Sequence, residues 1–323
     1  MAGTSVYHKT MMANLTGNEN ETAIEDSSCN TRLFGVNQRI IFSAFNIPLS
    51  IVAFLGNVLI IFALQKPSPL HPSSKLLFGC LAITDLCVGL ITQPLRVTYL
   101  MSPENSKLCY HAWNLYITLG LIFCGVSLLT LTAISVDRLL ALILGLRYRH
   151  VVTLRRIWIV VVSFWLSLIA VLIIIFYISV SASFVVCAIT LLCIIISSCS
   201  YMKIYFTLRK LQTQLHIQSH APAQRNGRCS GQSKRSTPLN VARYRRSVAS
   251  ALWVHMTLVA CYLPFGAVIA IFAITGLNTP SFDLAWEATI VVAMLNSSLN
   301  PFIYCWKIKE IRLAVKDSIS RFC

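Results

Sequence analysis

Residues 157–200 read IWIVVVSFWLSLIAVLIIIFYISVSASFVVCAITLLCIIISSCS, 44 positions without a single Asp, Glu, Lys or Arg. A bilayer core about 30 Å thick is crossed by roughly 20 helical residues at about 1.5 Å each. One helix of this length would span twice the membrane, so two helices share the stretch, joined by a very short turn near residues 179–183. The same criterion applied outward finds five further apolar runs bounded by charged or turn residues. The seven expected spans are residues 40–64, 76–100, 108–140, 157–179, 182–208, 248–275 and 284–306. The expected fold is therefore all-α: a seven-transmembrane helix bundle over residues 38–306, preceded by a polar tail, residues 1–37.

Composition agrees. Of the 323 residues, 56% are hydrophobic and 12% charged, and the mean hydropathy is +0.70. A soluble domain has no use for so much apolar sequence, and lipid must be the solvent. The formal charge of +16 could suggest nucleic acid, but its placement excludes that partner. Alternating the loops between two sides leaves Lys9, Arg32, Arg39, Arg96 and Lys107 with the amino terminus and the remaining 22 basic residues opposite, including Arg147, Arg149, Arg155, Arg156, Arg243, Arg245 and Arg246. By the positive-inside bias the second side is cytoplasmic and the amino terminus extracellular. Glu19, Glu21, Glu25, Asp26, Glu104, Asp283 and Glu287 then lie on or near the outer side.

The tails carry their own signals. Residues 1–37 contain no apolar stretch of signal-peptide length, so the first helix is expected to act as the uncleaved anchor. Two acceptor sequons begin at Asn14 and Asn20 and fit an outside, glycosylated tail. Most of the 12 cysteines lie inside apolar runs, where they read as small core side chains. Only Cys29 and Cys109 are clearly extracellular, which makes them candidates for a disulfide. Residues 209–247, rich in Gln, Ser and Arg and without an acid, read as a flexible inner loop. After Trp306, Lys307, Lys309, Arg312 and Lys316 alternate with Ile308, Ile311, Leu313, Val315 and Ile319. Residues 307–323 are thus expected to form a short amphipathic helix on the inner lipid surface and a short tail, with Cys323 a candidate for palmitoylation.

Ionisable groups inside a span are costly and therefore functional candidates by default. Asp85 lies within the second span, and Asp137 and Arg138 close the third at its inner boundary. Ser127 stands 11 residues before Arg138, three turns up the same face, and Asn296 and Asn300 are one turn apart in the seventh. Pro264 and Pro301 each remove a backbone hydrogen bond inside a span and supply a hinge.

These positions resemble the rhodopsin-like G-protein-coupled receptors. Gly56-Asn57, Leu81-Ala82 with Asp85, Asp137-Arg138, Trp165, Pro264 and the run Asn300 to Tyr304 match the family pattern in order, across nearly the whole chain. The resemblance implies a plasma-membrane, multi-pass receptor with an outer cavity for an agonist and an inner crevice for a heterotrimeric G protein, and no catalysis. The switch residues it implies are Asp137, Arg138, Tyr201, Tyr262, Pro264, Asn300, Pro301 and Tyr304. Asp85, Ser127, Asn296, Ser297 and Asn300 match the set that binds an allosteric sodium ion in this family; no other cofactor is expected. A hard cation wants such oxygen ligands, and a buried carboxylate wants a compensating charge.

The departures are as informative. Leu139 replaces the usual tyrosine after Asp-Arg, and Tyr262 the usual tryptophan of the sixth helix. Cys193 stands in or near the place of the fifth-helix proline. Cys109 lies about one turn further from Arg138 than the family's disulfide cysteine, and the short outer turn offers it no partner. Arg243 to Arg246 is basic where the family has an acid facing Arg138, which predicts measurable agonist-free activity. The short outer turn and missing proline look like melanocortin receptors, while Leu146-Arg147-Tyr148 and residues 300–312 look like adenosine receptors too. Known ligand residues do not carry over: Gly120, Met294, Leu95, Ile117 and Ile269 stand where relatives have polar or charged anchors. The agonist cavity is expected to be lined in part by Arg96, Tyr99, Tyr116, Trp286 and Glu287, with Arg96 and Glu287 as rim charges beneath an open mouth. A transporter would show ionisable groups along a path or paired broken helices. A retinal-type light sensor would need a lysine inside a span, and the seventh has none before Lys307.

Overall fold

The uncharged stretch divides where the length argument requires. In the computed structural model, which describes residues 35–66, 71–103, 106–178, 182–220, 236–275, 279–307 and 312–313, helix α4 runs Leu154–Ile178 and α5 runs Ala182–His220. The other spans are α1 (Val36–Gln65), α2 (Pro72–Met101), α3 (Lys107–Leu144), α6 (Ser236–Thr275) and α7 (Pro280–Lys307). All seven are long and apolar enough to cross a membrane, and no strand occurs among the described residues. The seven-helix bundle is thus as expected from sequence.

Local chemistry sets the ends. Pro72 opens α2 behind His71, whose Nδ1 accepts the Ser73 amide at 3.4 Å, and Ser106 caps α3 by accepting the Cys109 amide at 3.1 Å. Gly145 ends α3 with φ +50°, a left-handed turn that favours glycine. The inner loop departs from expectation: α5 continues to His220 and α6 already begins at Ser236. Extending an existing helix needs no new nucleus, and the Lys, Leu, Gln and His residues past Arg209 permit it until Pro222 forbids it. Of the expected surface segment, residues 307–323, Lys307 is the last residue of α7, and Arg312 and Leu313, both helical, are the others described.

Helix α3 is the centre, touching α2, α4, α5 and α6, while α1 and α7 close the ring against α2 and α6. The main core joins Leu77, Leu81, Val126, Leu131, Leu258, Cys261 and Tyr304. Helix α4 shows lipid most of its surface, including Trp158, Ile159 and Leu166. Where α1 meets α2 the backbones nearly touch. A Cβ on Gly89 would lie 2.8 Å from Ala53 Cβ and 3.0 Å from backbone atoms of Phe54 and Ser50, whose hydroxyl donates to the Gly89 carbonyl at 2.6 Å. We predict that Gly89→Ala lowers the stability of purified protein by about 1–3 kcal/mol, the usual penalty for overpacking. Gly79→Ala, which meets nothing within 4 Å, is the control; equal melting temperatures for the two variants would contradict the tight contact.

Candidate functional site

At the inner end, Asp137 is 3% exposed and fully engaged. Its Oδ2 accepts the Ser74 hydroxyl from α2 at 2.9 Å and its Oδ1 accepts Tyr148 at 2.6 Å. Tyr148 sits on the single turn Tyr148–Val151 that follows α3. Its burial and then its bond to Asp137 push its phenol up, so it stays protonated and donates. Arg138 Nη2 lies 3.3 Å from Asp137 Oδ2, and the guanidinium is 5.8 Å from the centre of the Phe78 ring. Helix α2 and the inner turn thus hold the carboxylate, and the carboxylate holds the cation at the mouth. Ser74 and Tyr148 were not legible as its partners, because only the folded turn brings them to α3.

Tyr201 on α5 and Tyr304 on α7 are buried, and their phenols do not bond each other. Tyr262 is buried in the main core, two residues before Pro264. Gly56 of α1 lets Pro301 of α7 approach: a Cβ there would lie 2.9 Å from the proline Cγ. Asn57 bridges the same helices by donating to the carbonyls of Ala53 at 2.8 Å and Ser297 at 3.1 Å.

One helical stretch further out, Asp85 is fully buried. Its Oδ1 accepts Ser127 from α3 and Ser297 from α7, each at 2.9 Å, and its Oδ2 accepts Asn300 at 2.7 Å. The carboxylate therefore ties α2, α3 and α7 together. Asn296, next to Ser297 in sequence, is buried but does not bond Asp85, and among the described residues its amide oxygen and that of Asn300 accept no hydrogen bond. These orphaned oxygens and a carboxylate paired with no basic residue among the described ones suit a hard monovalent cation.

The outer half corrects an expectation. Arg96 is fully buried and Glu287 is 3% exposed, so they are not rim charges. They pair with each other: Arg96 Nη2 donates to the Glu287 carboxylate and, at 3.0 Å, to its carbonyl, while Nη1 lies 3.7 Å from the Met294 sulfur. The cause is a π-helical turn at Val88–Thr92 in α2. Its extra residue rotates everything beyond it by about 100° relative to a continuous α-helix. Aromatic rings flank the pair. Tyr99 packs on Trp113, 4.7 Å between ring centres, and Trp113 on Tyr116 at 5.9 Å. Tyr116 joins Ile290, Met294 and Trp286 in one apolar cluster, and Trp286 also meets Phe265 at 6.0 Å. All five residues expected at the cavity thus belong to this outer region.

Comparison with known sequences decides the family. The profile described as "7 transmembrane receptor (rhodopsin family)" matches residues 56–304. The chain belongs to the rhodopsin family of seven-transmembrane receptors. Relatives of this receptor include the mouse (Mus musculus) melanocortin receptor 5, 25% identical over 318 residues that cover 95% of this chain and 92% of the relative. The sheep (Ovis aries) adenosine receptor A3 is 25% identical over 298 residues, covering 84% and 87%. Both names agree with the resemblance read from the motifs. The receptor's Cys109 is disulfide-bonded, whereas Cys80, Cys87, Cys124, Cys187, Cys193, Cys199, Cys261 and Cys305 are free thiols. Cys29, Cys323, Asn14 and Asn20 lie outside the described residues.

Proposed function

We propose that this chain is a cell-surface receptor that binds an extracellular ligand and activates a heterotrimeric G protein by conformational switching, with no catalysis of its own. The observation that carries this reading is the Asp137–Arg138 pair: a permanent cation at the inner mouth, 17% exposed and restrained by a carboxylate that α2 and the inner turn hold in place. Releasing it exposes five guanidinium N–H donors to partner carbonyls. The hinges Pro264 and Pro301 and the phenols of Tyr201 and Tyr304 lie on the helices that such a switch would move. The names of the relatives suggest a peptide or a nucleoside ligand; the outer aromatic cluster around Arg96 and Glu287 is where we place its binding. The amino terminus is assigned to the outside and the basic loops to the cytoplasm. With Cys229 and Cys323 then inside, Cys29 is the cysteine that topology leaves for Cys109. Asn14 and Asn20 are proposed to carry glycans and Cys323 a palmitoyl chain. The test is a screen of peptides and nucleosides on cells expressing the receptor, read by G-protein activation; a ligand that raises it supports the reading, and silence of every class with every G-protein family contradicts it.

Asp85, Ser127, Asn296, Ser297 and Asn300 are the residues that would hold sodium. A bound ion would supply positive charge to the buried carboxylate of Asp85, which itself already ties α2, α3 and α7 together. We predict that wild-type receptor melts at a higher temperature in sodium than in a bulky organic cation at equal ionic strength, by mass action on the folded state. Asp85→Asn should melt alike in both. Coincident wild-type curves would remove the sodium site.

A further inference from the structure

A second polar cluster lies at the inner half of the bundle, away from both Asp85 and Asp137. His255 of α6 is 7% exposed, and both of its ring nitrogens face α5: Nδ1 is 2.8 Å from the Ser197 hydroxyl and Nε2 is 3.3 Å from the Ser198 hydroxyl. Ser197 in turn meets the Ser135 hydroxyl of α3 at 2.9 Å. Ser135 stands one turn before Arg138, and Tyr201, one turn beyond Ser197, lies against the imidazole with ring centres 4.6 Å apart and planes at 31°. Just below, Leu252 of α6 packs with Tyr201, Ile204, Leu139 and Leu142. Ser135 donates to the Leu131 carbonyl at 2.9 Å, so Ser197 donates to Ser135, a neutral imidazole donates from Nδ1 to Ser197, and its Nε2 accepts from Ser198.

This arrangement answers a question raised by the sequence. The basic inner end of α6 gives Arg138 no acidic partner, yet α6 packs against α3 and α5. A polar side chain inside a span is retained at a cost, and here the polar group joins the three helices that a cytoplasmic partner must separate to reach Arg138. We propose that Ser135, Ser197 and His255 form a neutral hydrogen-bonded latch that holds the inner half of α6 closed in the resting receptor and opens on activation. The proposal rests on the receptor reading above and identifies how the switch is restrained. His255 is a positioning residue: it touches neither ligand nor G protein, and it acts by setting where α6 lies. Neutral hydrogen bonds restrain less than a buried ion pair, so the latch leads to the same expectation of measurable agonist-free activity.

The test uses the full-length receptor in lipid vesicles without ligand. Spin labels at Arg149, beside α4, and Ser247, on the inner part of α6, report the opening of the mouth, and nucleotide exchange on added G protein reports signalling. His255→Leu, which removes the bonds to Ser197 and Ser198, and Ser197→Ala, which removes those to His255 and Ser135, are each expected to increase the long-distance population and agonist-free exchange by about two- to tenfold for each neutral hydrogen bond lost. The double variant should fall short of the summed single effects, because the Ser197–His255 bond is lost in both. His255→Gln, which still donates and accepts, should stay near wild type. Distances unchanged in His255→Leu and Ser197→Ala, with both variants folded, would overturn the latch. Distances that shift without any nucleotide exchange would uphold the latch and contradict the receptor reading instead. Should His255→Leu fail to fold, Ser197→Ala alone decides by the same distances.

Discussion

Glu287→Ala is expected to cost the receptor about 3–5 kcal/mol of stability, the loss typical when one partner of a buried ion pair is removed. Arg96 is fully buried, and without the carboxylate its guanidinium keeps only the Glu287 carbonyl and the Met294 sulfur. Arg96→Ala should be comparably harmful, because it strands a carboxylate instead. The double variant Arg96→Met with Glu287→Leu should recover most of the loss, since apolar side chains of similar volume often replace a buried pair without penalty. Thermal unfolding of the purified receptor in lipid or detergent measures all three. A ligand that engages either charge separates structure from binding: the double variant would then be stable but bind about ten- to hundredfold more weakly. A double variant no more stable than either single one would show that the pair is held by something other than mutual compensation.

Arg138→Ala is expected to abolish both agonist-free and ligand-driven signalling in cells while leaving surface expression near wild type. The side chain is 17% exposed at the mouth and makes one ion pair at 3.3 Å, so its removal strands little. Asp137 keeps Ser74 and Tyr148 as donors, which is why the fold should survive. What disappears is the only cation on this face of α3 that a docked partner could meet. Signalling at wild-type level with matched surface expression would refute the role.

The fold was legible because bilayer thickness sets helix length, and residues 157–200 leave no other division. Asp85 was legible as an ionisable group inside a span, and its partners Ser127, Ser297 and Asn300 through the family resemblance; the folded chain brings all three to one carboxylate. Arg96 and Glu287 were singled out as polar residues near the outer ends, but their burial was not. Pro94 is the local signal: it has no N–H for the Leu90 carbonyl, which lies inside the π turn Val88–Thr92, but a proline alone does not say which residues the turned helix will bury. His255 escaped notice for a related reason. A lone histidine in an apolar run carries no spacing signal, and its partners Ser197 and Ser198 lie on another helix. The helical continuation of α5 to His220 and of α6 back to Ser236 is ambiguous in sequence, because polar composition suits a loop while Lys, Gln and Arg also favour helix.

Movement of α6 away from Arg138 is proposed to turn on a G protein. Nucleotide exchange by a panel of purified heterotrimeric G proteins, in vesicles containing wild-type receptor or Arg138→Ala, tests this. Wild type is expected to accelerate exchange on at least one G protein, and Arg138→Ala on none. Wild type without effect on any member of the panel, or Arg138→Ala as active as wild type, would contradict it.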